Sequence, residues 1–392
     1  MRNIIITGGE LFNKGAQAMT FITVHELRKR FPGHAVYLLS EMDLARPKAE
    51  RDLYAFGFTG WYPVKFARAQ RNPLLRLACR LLSRDELSEV ENLYRNCDAM
   101  IDISGYALGS NWDARCNNRF LDHLEFARAF RSPVFLMPQS FGPFDFGQDQ
   151  PGIDARCRRL LPTCKVILAR EQAGYDALVN RYGLRNVQLA PDLVLNNQEI
   201  GLSHIFRNPP ALRLPQILPG SIGVIPNAQT LSADADGAMS LYRAAVRRGL
   251  EQGKRVYLLH HATADARICG ELKAGFPQDD RVILLEQEFS CLEFHALVDR
   301  FDYLVASRFH SIVHAFKSGV PCIVLGWARK YEDLMAGFGQ TDYLFDIRNA
   351  PAAEAVSGAM DQLNLSRDTE KERILSRLAA IQTNNVFDII TL

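Results

Sequence analysis

Short apolar runs of strand length alternate with longer segments of helical period along nearly the whole chain, a rhythm that parallel sheets with crossover helices accommodate. Strands are predicted over 3–7, 35–39, 99–103, 134–137 and 166–169, and again over 222–225, 256–259, 282–285, 303–306 and 322–325. Helical spacing falls between or after them, over 14–31, 117–130, 171–182, 235–251, 309–318 and 367–381. The first of these helices carries Ala18, Phe21 and Ile22 on one face, with His25 one turn further on. From Asn196 to Gly220 the periodicity fails, and Pro209, Pro210, Pro215 and Pro219 punctuate the stretch. The chain is therefore expected to fold as an α/β protein in two halves, 1–196 and 221–365, joined by a linker over 197–220. A last helical segment, 366–392, would pack back on the first half. Two Rossmann-like domains with parallel sheets facing across a cleft follow, and ligands of such sheets sit beyond the carboxyl ends of the strands.

A length of 392 residues suits two cores. Lys and Arg number 46 against 44 Asp and Glu, a formal charge of +2, which argues against a nucleic-acid binder working through a broad basic field. No apolar run approaches the ~20 residues of a membrane span, and the opening MRNIIITGGE is too short in apolar residues for a secretory signal. None of the eight cysteines forms C-x-x-C, so free thiols in a reducing, cytoplasmic compartment are expected. One stretch, 65–84, departs from the neutral average. Lys65, Arg68, Arg71, Arg76, Arg80 and Arg84 interleave there with leucines, without an acidic residue. It reads either as a solvated helix face packed on its own domain or as a surface that touches an anionic membrane.

Polar residues cluster just past the predicted strands. The first strand ends in Thr7-Gly8-Gly9-Glu10 and reaches Asn13-Lys14-Gly15-Ala16-Gln17 as a helix begins. Neither the dinucleotide fingerprint nor a Walker loop is present, so this is either a structural turn or a place where backbone N–H groups meet a ligand. Pro138-Gln139-Ser140-Phe141-Gly142-Pro143 follows another strand and offers two polar side chains before a tight turn. Arg170 ends the strand at 166–169, where it needs an anionic partner: a bound phosphate or carboxylate, or Glu171 or another acid of the chain. Asp192 fits a helix cap or a ligand contact equally well.

The densest cluster lies late. Ser307-Arg308-Phe309-His310 opens a helix, and Arg329 and Lys330 follow the next strand, so cations gather around one candidate acid–base group, His310. His310 and His314 stand four apart, but Ser311 occupies the position where a zincin has Glu, and no third ligand is evident, so no metal is expected. His260 and His261 close another strand.

Taken in order, these motifs resemble the polysaccharide pyruvyl transferase family across roughly residues 3–340: Gly8 with Asn13-Lys14-Gly15-Ala16, the 138–143 run, Arg170-Glu171, Ala190-Pro191-Asp192, Ser307-Arg308-Phe309-His310, Gly319-Val320-Pro321 and Lys330. The resemblance implies a GT-B-like fold and transfer of a pyruvyl group from phosphoenolpyruvate to a hexose of a cell-surface glycan, free or lipid-linked, as a cyclic ketal. It implies no cofactor beyond phosphoenolpyruvate as donor substrate. His310 and Arg170 would be catalytic, the latter as the phosphate-contacting arginine. Arg308, Lys330, Arg329 and His261 would bind the donor; Asn13, Gly15, Gln139 and Ser140 the acceptor. The expected setting is cytoplasmic, with peripheral contact at the inner face of the membrane. A nucleotide-sugar glycosyltransferase is the alternative that the same architecture serves, and a non-catalytic glycan- or anion-binding module is a third.

Overall fold

The computed structural model describes residues 2–60, 92–233 and 235–392. The basic stretch at 65–84 therefore lies outside the described residues. Two all-parallel sheets form the framework. The first contains β1 (Asn3–Thr7), β2 (Ala35–Leu39), β3 (Gly57–Thr59), β4 (Cys97–Asp102), β5 (Tyr106–Leu108), β6 (Val134–Phe141), β7 (Val166–Ala169) and β8 (Val187–Leu189). Their order is β3-β2-β1-β4-β6-β7-β8, with β5 added to β6. The second contains β9 (Ser221–Ile225), β10 (Arg255–Leu259), β11 (Val282–Leu285), β12 (Leu304–Ala306), β13 (Cys322–Gly326) and β14 (Leu344–Asp346), in the order β11-β10-β9-β12-β13-β14. In each sheet the strand order reverses beside the first strand, which opens a crevice there at the strands' carboxyl ends.

The apolar runs form strands because both faces of each sheet are covered. Ile4, Ile5 and Ile6 are fully buried on β1, as are Val305 and Ala306 on β12. One continuous core cluster joins residues of both halves, from Ile4 and Phe21 to Ile222 and Phe316. The helix Lys14–Arg30 shows why. Lys14, Gln17, Thr20, Thr23, His25 and Glu26 are buried alongside its apolar residues, so the helix is enclosed on most sides. Thr20 and Thr23 satisfy their hydroxyls on the Ala16 and Met19 carbonyls, each at 2.8 Å. Lys14 and Gln17 instead reach the second half.

Several boundaries differ from the sequence expectation. β6 runs on to Phe141, so Gln139 and Ser140 belong to the strand rather than to a turn after it. The last long helix spans Ala353–Ile381 without a break at position 365. The chain passes between the halves twice. Phe206 still pairs with Tyr54 of the first half before the run to β9. After Ile381 the chain returns: Asn196 donates to the Ile381 and Asn384 carbonyls at 2.9 and 2.7 Å, and Asp388 pairs with Arg30 at 2.6 Å. Among the described residues no helix is long and apolar enough to cross a membrane, and seven cysteines are free thiols.

Candidate active site

The carboxyl ends of β6, β7, β8, β12 and β13 deliver Ser140, Arg170, Asp192, His310 and Lys330 to one region between the halves. Arg170 follows β7 directly, and its guanidinium is almost wholly enclosed. It donates to Glu171 at 3.0 Å, Asp192 at 2.8 Å, the Ser140 hydroxyl at 2.6 Å and the Gly105 carbonyl at 3.4 Å. The Ser140 hydroxyl in turn donates a hydrogen bond to Glu171 at 2.8 Å. Of the two kinds of partner open to Arg170 from sequence, the structure supplies the chain's own acids. Four of its five N–H donors are engaged in this way, so in this structure it organises the chain's own carboxylates.

His310 stands in the first turn of the helix Phe309–Lys317. Its Nε2 lies 3.8 Å from Asp192, beyond hydrogen-bond length, and has no hydrogen-bond partner among the described residues. Its ring rests on Gly15 of the opposite half, where any Cβ would overlap the imidazole. Burial pushes this histidine down to about 4, with Asp192 opposing and Arg170 and Lys330 adding to the shift. Burial works upward on Asp192, yet His310, Arg170 and the Val194 N–H hold its carboxyl below the ordinary value. Asp192 both caps the helix Leu193–Asn196, accepting from Val194 at 2.9 Å, and pairs with Arg170.

Phe309 lies between the cations. The Arg170 guanidinium sits 4.5 Å from its ring centroid and the Lys330 ammonium 5.3 Å, with Trp327 and Tyr331 also beneath Lys330 at 5.4 and 5.7 Å. Lys330 has no carboxylate within ion-pair distance among the described residues. Burial, then Arg170 and Arg308, push it down to about 8, while Glu171 acts in the opposite sense. Of the cations expected around His310, Lys330 is the one packed on Phe309 without a carboxylate partner among the described residues.

The other predicted donor residues take different places. Arg308 makes a two-pronged pair with buried Asp265, at 2.8 and 2.6 Å, and Asp265 also accepts from the Ala228 and Ala262 N–H groups. Arg308 is thus tied to its own domain. Arg329 is exposed at the start of the helix Lys330–Phe338. His261 is buried edge-on against Phe294, and both its ring nitrogens lack partners among the described residues. Its carbonyl receives the Lys14 ammonium at 3.0 Å, and Lys14 also pairs with Glu288 at 3.2 Å.

Three of the four predicted acceptor residues make contacts within the chain. Asn13 caps the first helix, its Oδ1 accepting from Gly15 at 2.9 Å and Ala16 at 3.4 Å. Gly15 is covered by the His310 ring. Gln139 is fully buried and donates to Asp102 at 3.1 Å, beneath the strand ends. Ser140 alone reaches the site. Sequence reasoning singled out neither Glu171 as a site carboxylate nor Phe309 as the ring between the cations; the adjacency of each to Arg170 or His310 was the only available signal. No group of His, Cys, Asp and Glu among the described residues is arranged to hold a metal ion.

A family model described as polysaccharide pyruvyl transferase matches residues 13–329. No curated protein matches the chain. Among solved structures, a putative UDP-N-acetylglucosamine 2-epimerase from Listeria monocytogenes superposes with a TM-score of 0.58 at 12% identity, covering 99% of this chain and 93% of that one. The UDP-GlcNAc 2-epimerase from Neisseria meningitidis bound to UDP-GlcNAc gives 0.56 at 12% identity, over 95% and 94%. UGT71G1 from Medicago truncatula, complexed with UDP-glucose, gives 0.51 at 12%, over 99% and 98%. These likenesses establish a GT-B-type fold.

Proposed function

From the premise that the chain belongs to the polysaccharide pyruvyl transferase family, we propose that it transfers the pyruvyl group of phosphoenolpyruvate to two hydroxyls of a hexose in a cell-surface polysaccharide or its lipid-linked precursor. The family makes it a transferase with a saccharide acceptor; the donor and the ketal are our reading. One observation carries it. Among the described residues, an ammonium without a carboxylate partner, Lys330, and an imidazole with an unpartnered buried nitrogen, His310, meet a compact set of acids from the opposite half.

In this reading Lys330 draws in the trianionic donor. An anion beside His310 favours its charged form, so donor binding raises the imidazole from about 4 and protonates it. The imidazolium then gives its proton to C3 of the enol, whose double-bond electrons form the new C–H bond and leave C2 electron-deficient. The first sugar hydroxyl attacks C2 and surrenders its proton to the now neutral His310. The bond from C2 to the phosphate oxygen breaks with its electrons on phosphate. The second hydroxyl closes the ketal, and its proton leaves on phosphate. Donor and diol become ketal and inorganic phosphate, with His310 restored. Asp192 steadies the imidazolium at each charged stage, and Arg170 keeps Asp192 in place. The free thiols suit the reducing cytoplasm, where phosphoenolpyruvate is made, and a lipid-linked acceptor would put the enzyme at the membrane's inner face.

The test is phosphate release from phosphoenolpyruvate with hexose glycosides as acceptors. His310→Ala is expected to lose about 10²–10⁴-fold in kcat, and Lys330→Met to raise the donor KM. Undiminished turnover in both variants would refute these roles. Release of a nucleoside diphosphate from a UDP-sugar instead would replace the donor.

A further inference from the structure

The site so far accounts for the donor but leaves the acceptor without a surface, since Asn13, Gly15 and Gln139 are engaged elsewhere. We infer that Trp112, backed by Tyr106, is a stacking platform for a pyranose ring of the acceptor at the mouth of this site. The inference rests on the pyruvyl-transfer reading for its place in catalysis, although not for its contact with sugar.

Trp112 is a large apolar side chain held 45% exposed on the first half. Its ring centroid lies 5.6 Å from that of Tyr106, tilted by 48°. Tyr106 connects the pair to the chemistry. Its strand β5 pairs with β6 so that Tyr106 faces Ser140, the hydroxyl shared by Arg170 and Glu171, and its phenol donates to the Gly142 carbonyl at 2.8 Å. Burial raises the Tyr106 phenol; hydrogen bonds to Asn111 oppose the shift, and the charge of Glu171 adds to it.

The loop that carries Trp112 is fixed from beneath. Asn117 is fully buried and uses its whole amide on it: Oδ1 accepts from Gly109 N–H at 2.9 Å, and Nδ2 donates to the carbonyls of Gly109, Trp112 and Asp113 at 3.1, 3.1 and 2.9 Å. Ser110 N–H bonds the Pro143 carbonyl at 2.7 Å. At Gly109 a Cβ would press within 2.6 Å of the Gly142 carbonyl oxygen, which lets the loop lie flat on the end of β6. A buried amide saturated in this way serves to hold a loop in one shape. The chain therefore holds a half-exposed indole in a fixed place against Tyr106.

A pyranose has one face of C–H groups and an edge of hydroxyls. An aromatic face suits the first, and the exposed Asn111 beside Trp112, whose amide also hydrogen-bonds the Tyr106 phenol, suits the second. The platform belongs to the half opposite Lys330, so an acceptor lying on it and a donor held by Lys330 approach from two sides. A lone phosphate or a nucleotide base would not need the hydroxyl-binding neighbours.

Trp112→Ala is expected to raise the acceptor KM about tenfold while leaving the donor KM unchanged, and Trp112→Phe to recover most of the loss. An unaltered acceptor KM in Trp112→Ala overturns the inference while the reaction stands. Saturation-transfer NMR with methyl hexopyranosides gives a readout independent of turnover. Binding by wild type that is lost in Trp112→Ala supports the platform even if wild type releases no phosphate from phosphoenolpyruvate, a result that would sink the reaction alone. Equal binding by both proteins, or none by wild type, overturns the platform. The exposed position predicts an unchanged urea midpoint for both variants, which separates lost contact from lost fold.

Discussion

Lys330 shows how a single side chain sets the pH behaviour of the site. Its ammonium is pushed down to about 8 by burial and by Arg170 and Arg308, so its charge is lost as pH rises through about 8. In the proposed reaction donor capture needs that charge. Proton uptake by His310, from about 4, already tilts kcat/KM for phosphoenolpyruvate downward with pH; above pH 8 the decline is expected to steepen by about a further tenfold per unit, and Lys330→Arg, with a side chain that stays cationic, to abolish this extra steepening between pH 8 and 9 while lowering kcat/KM throughout. A wild-type profile with no steepening up to pH 9 would remove Lys330 from donor binding. At this scale the sequence showed which residues were chemically capable and not which were already engaged. His310 was legible from its place after a strand among cations. Arg308 looked equally available, but its partner Asp265 stands 43 positions away and meets it only in the folded chain. Gly15 was legible as a small residue at a helix start; that the space it leaves admits an imidazole from the other half was not.

The helix Phe309–Lys317 is the element that joins chemistry to architecture. Its first turn brings His310 to Asp192, and its last brings Lys317 to the Val194 carbonyl at 3.0 Å and Asn197 Oδ1 at 3.3 Å. Both ends therefore lie along residues 192–197 of the first half. Lys317→Met leaves a carbonyl and an amide oxygen without their donor, and urea denaturation is expected to show a loss of about 1–3 kcal/mol. The kcat should fall with it, because His310 is set by the same helix. A variant as stable as wild type would show that this end carries none of the docking. Long periodic helices and buried β-branched strands were readable because burial on two faces leaves continuous apolar runs. β3, β5, β8 and β14 were not: three residues carry no period, and these, unlike the equally short but wholly buried β12, are only partly enclosed. Missing β5 also hid Tyr106 and Trp112.

Across the whole molecule, His25, His123, His261, His295, His310 and His314 are all lowered, in each case first by burial. The unfolded chain, with imidazoles near ~6.5, then binds more protons than the folded one below that pH. Stability is complete above about 6.5 and is lost as pH falls toward the His310 value of about 4. Urea denaturation at pH 7, 6 and 5 should show a progressive decline. His314→Leu, which removes a buried ring with two unpartnered nitrogens, should match wild type at pH 7 and exceed it at pH 5. Equal slopes for the two proteins would dismiss this origin. The proline-rich break at 196–220 announced two halves, but charge and periodicity held no sign of how tightly they close. The His310 ring rests on Gly15, so the first half closes directly over one face of the imidazole. The polypeptide joins those halves at two separate places, before β9 and after Ile381. The second half is thus a loop out of the first, with both of its ends anchored there.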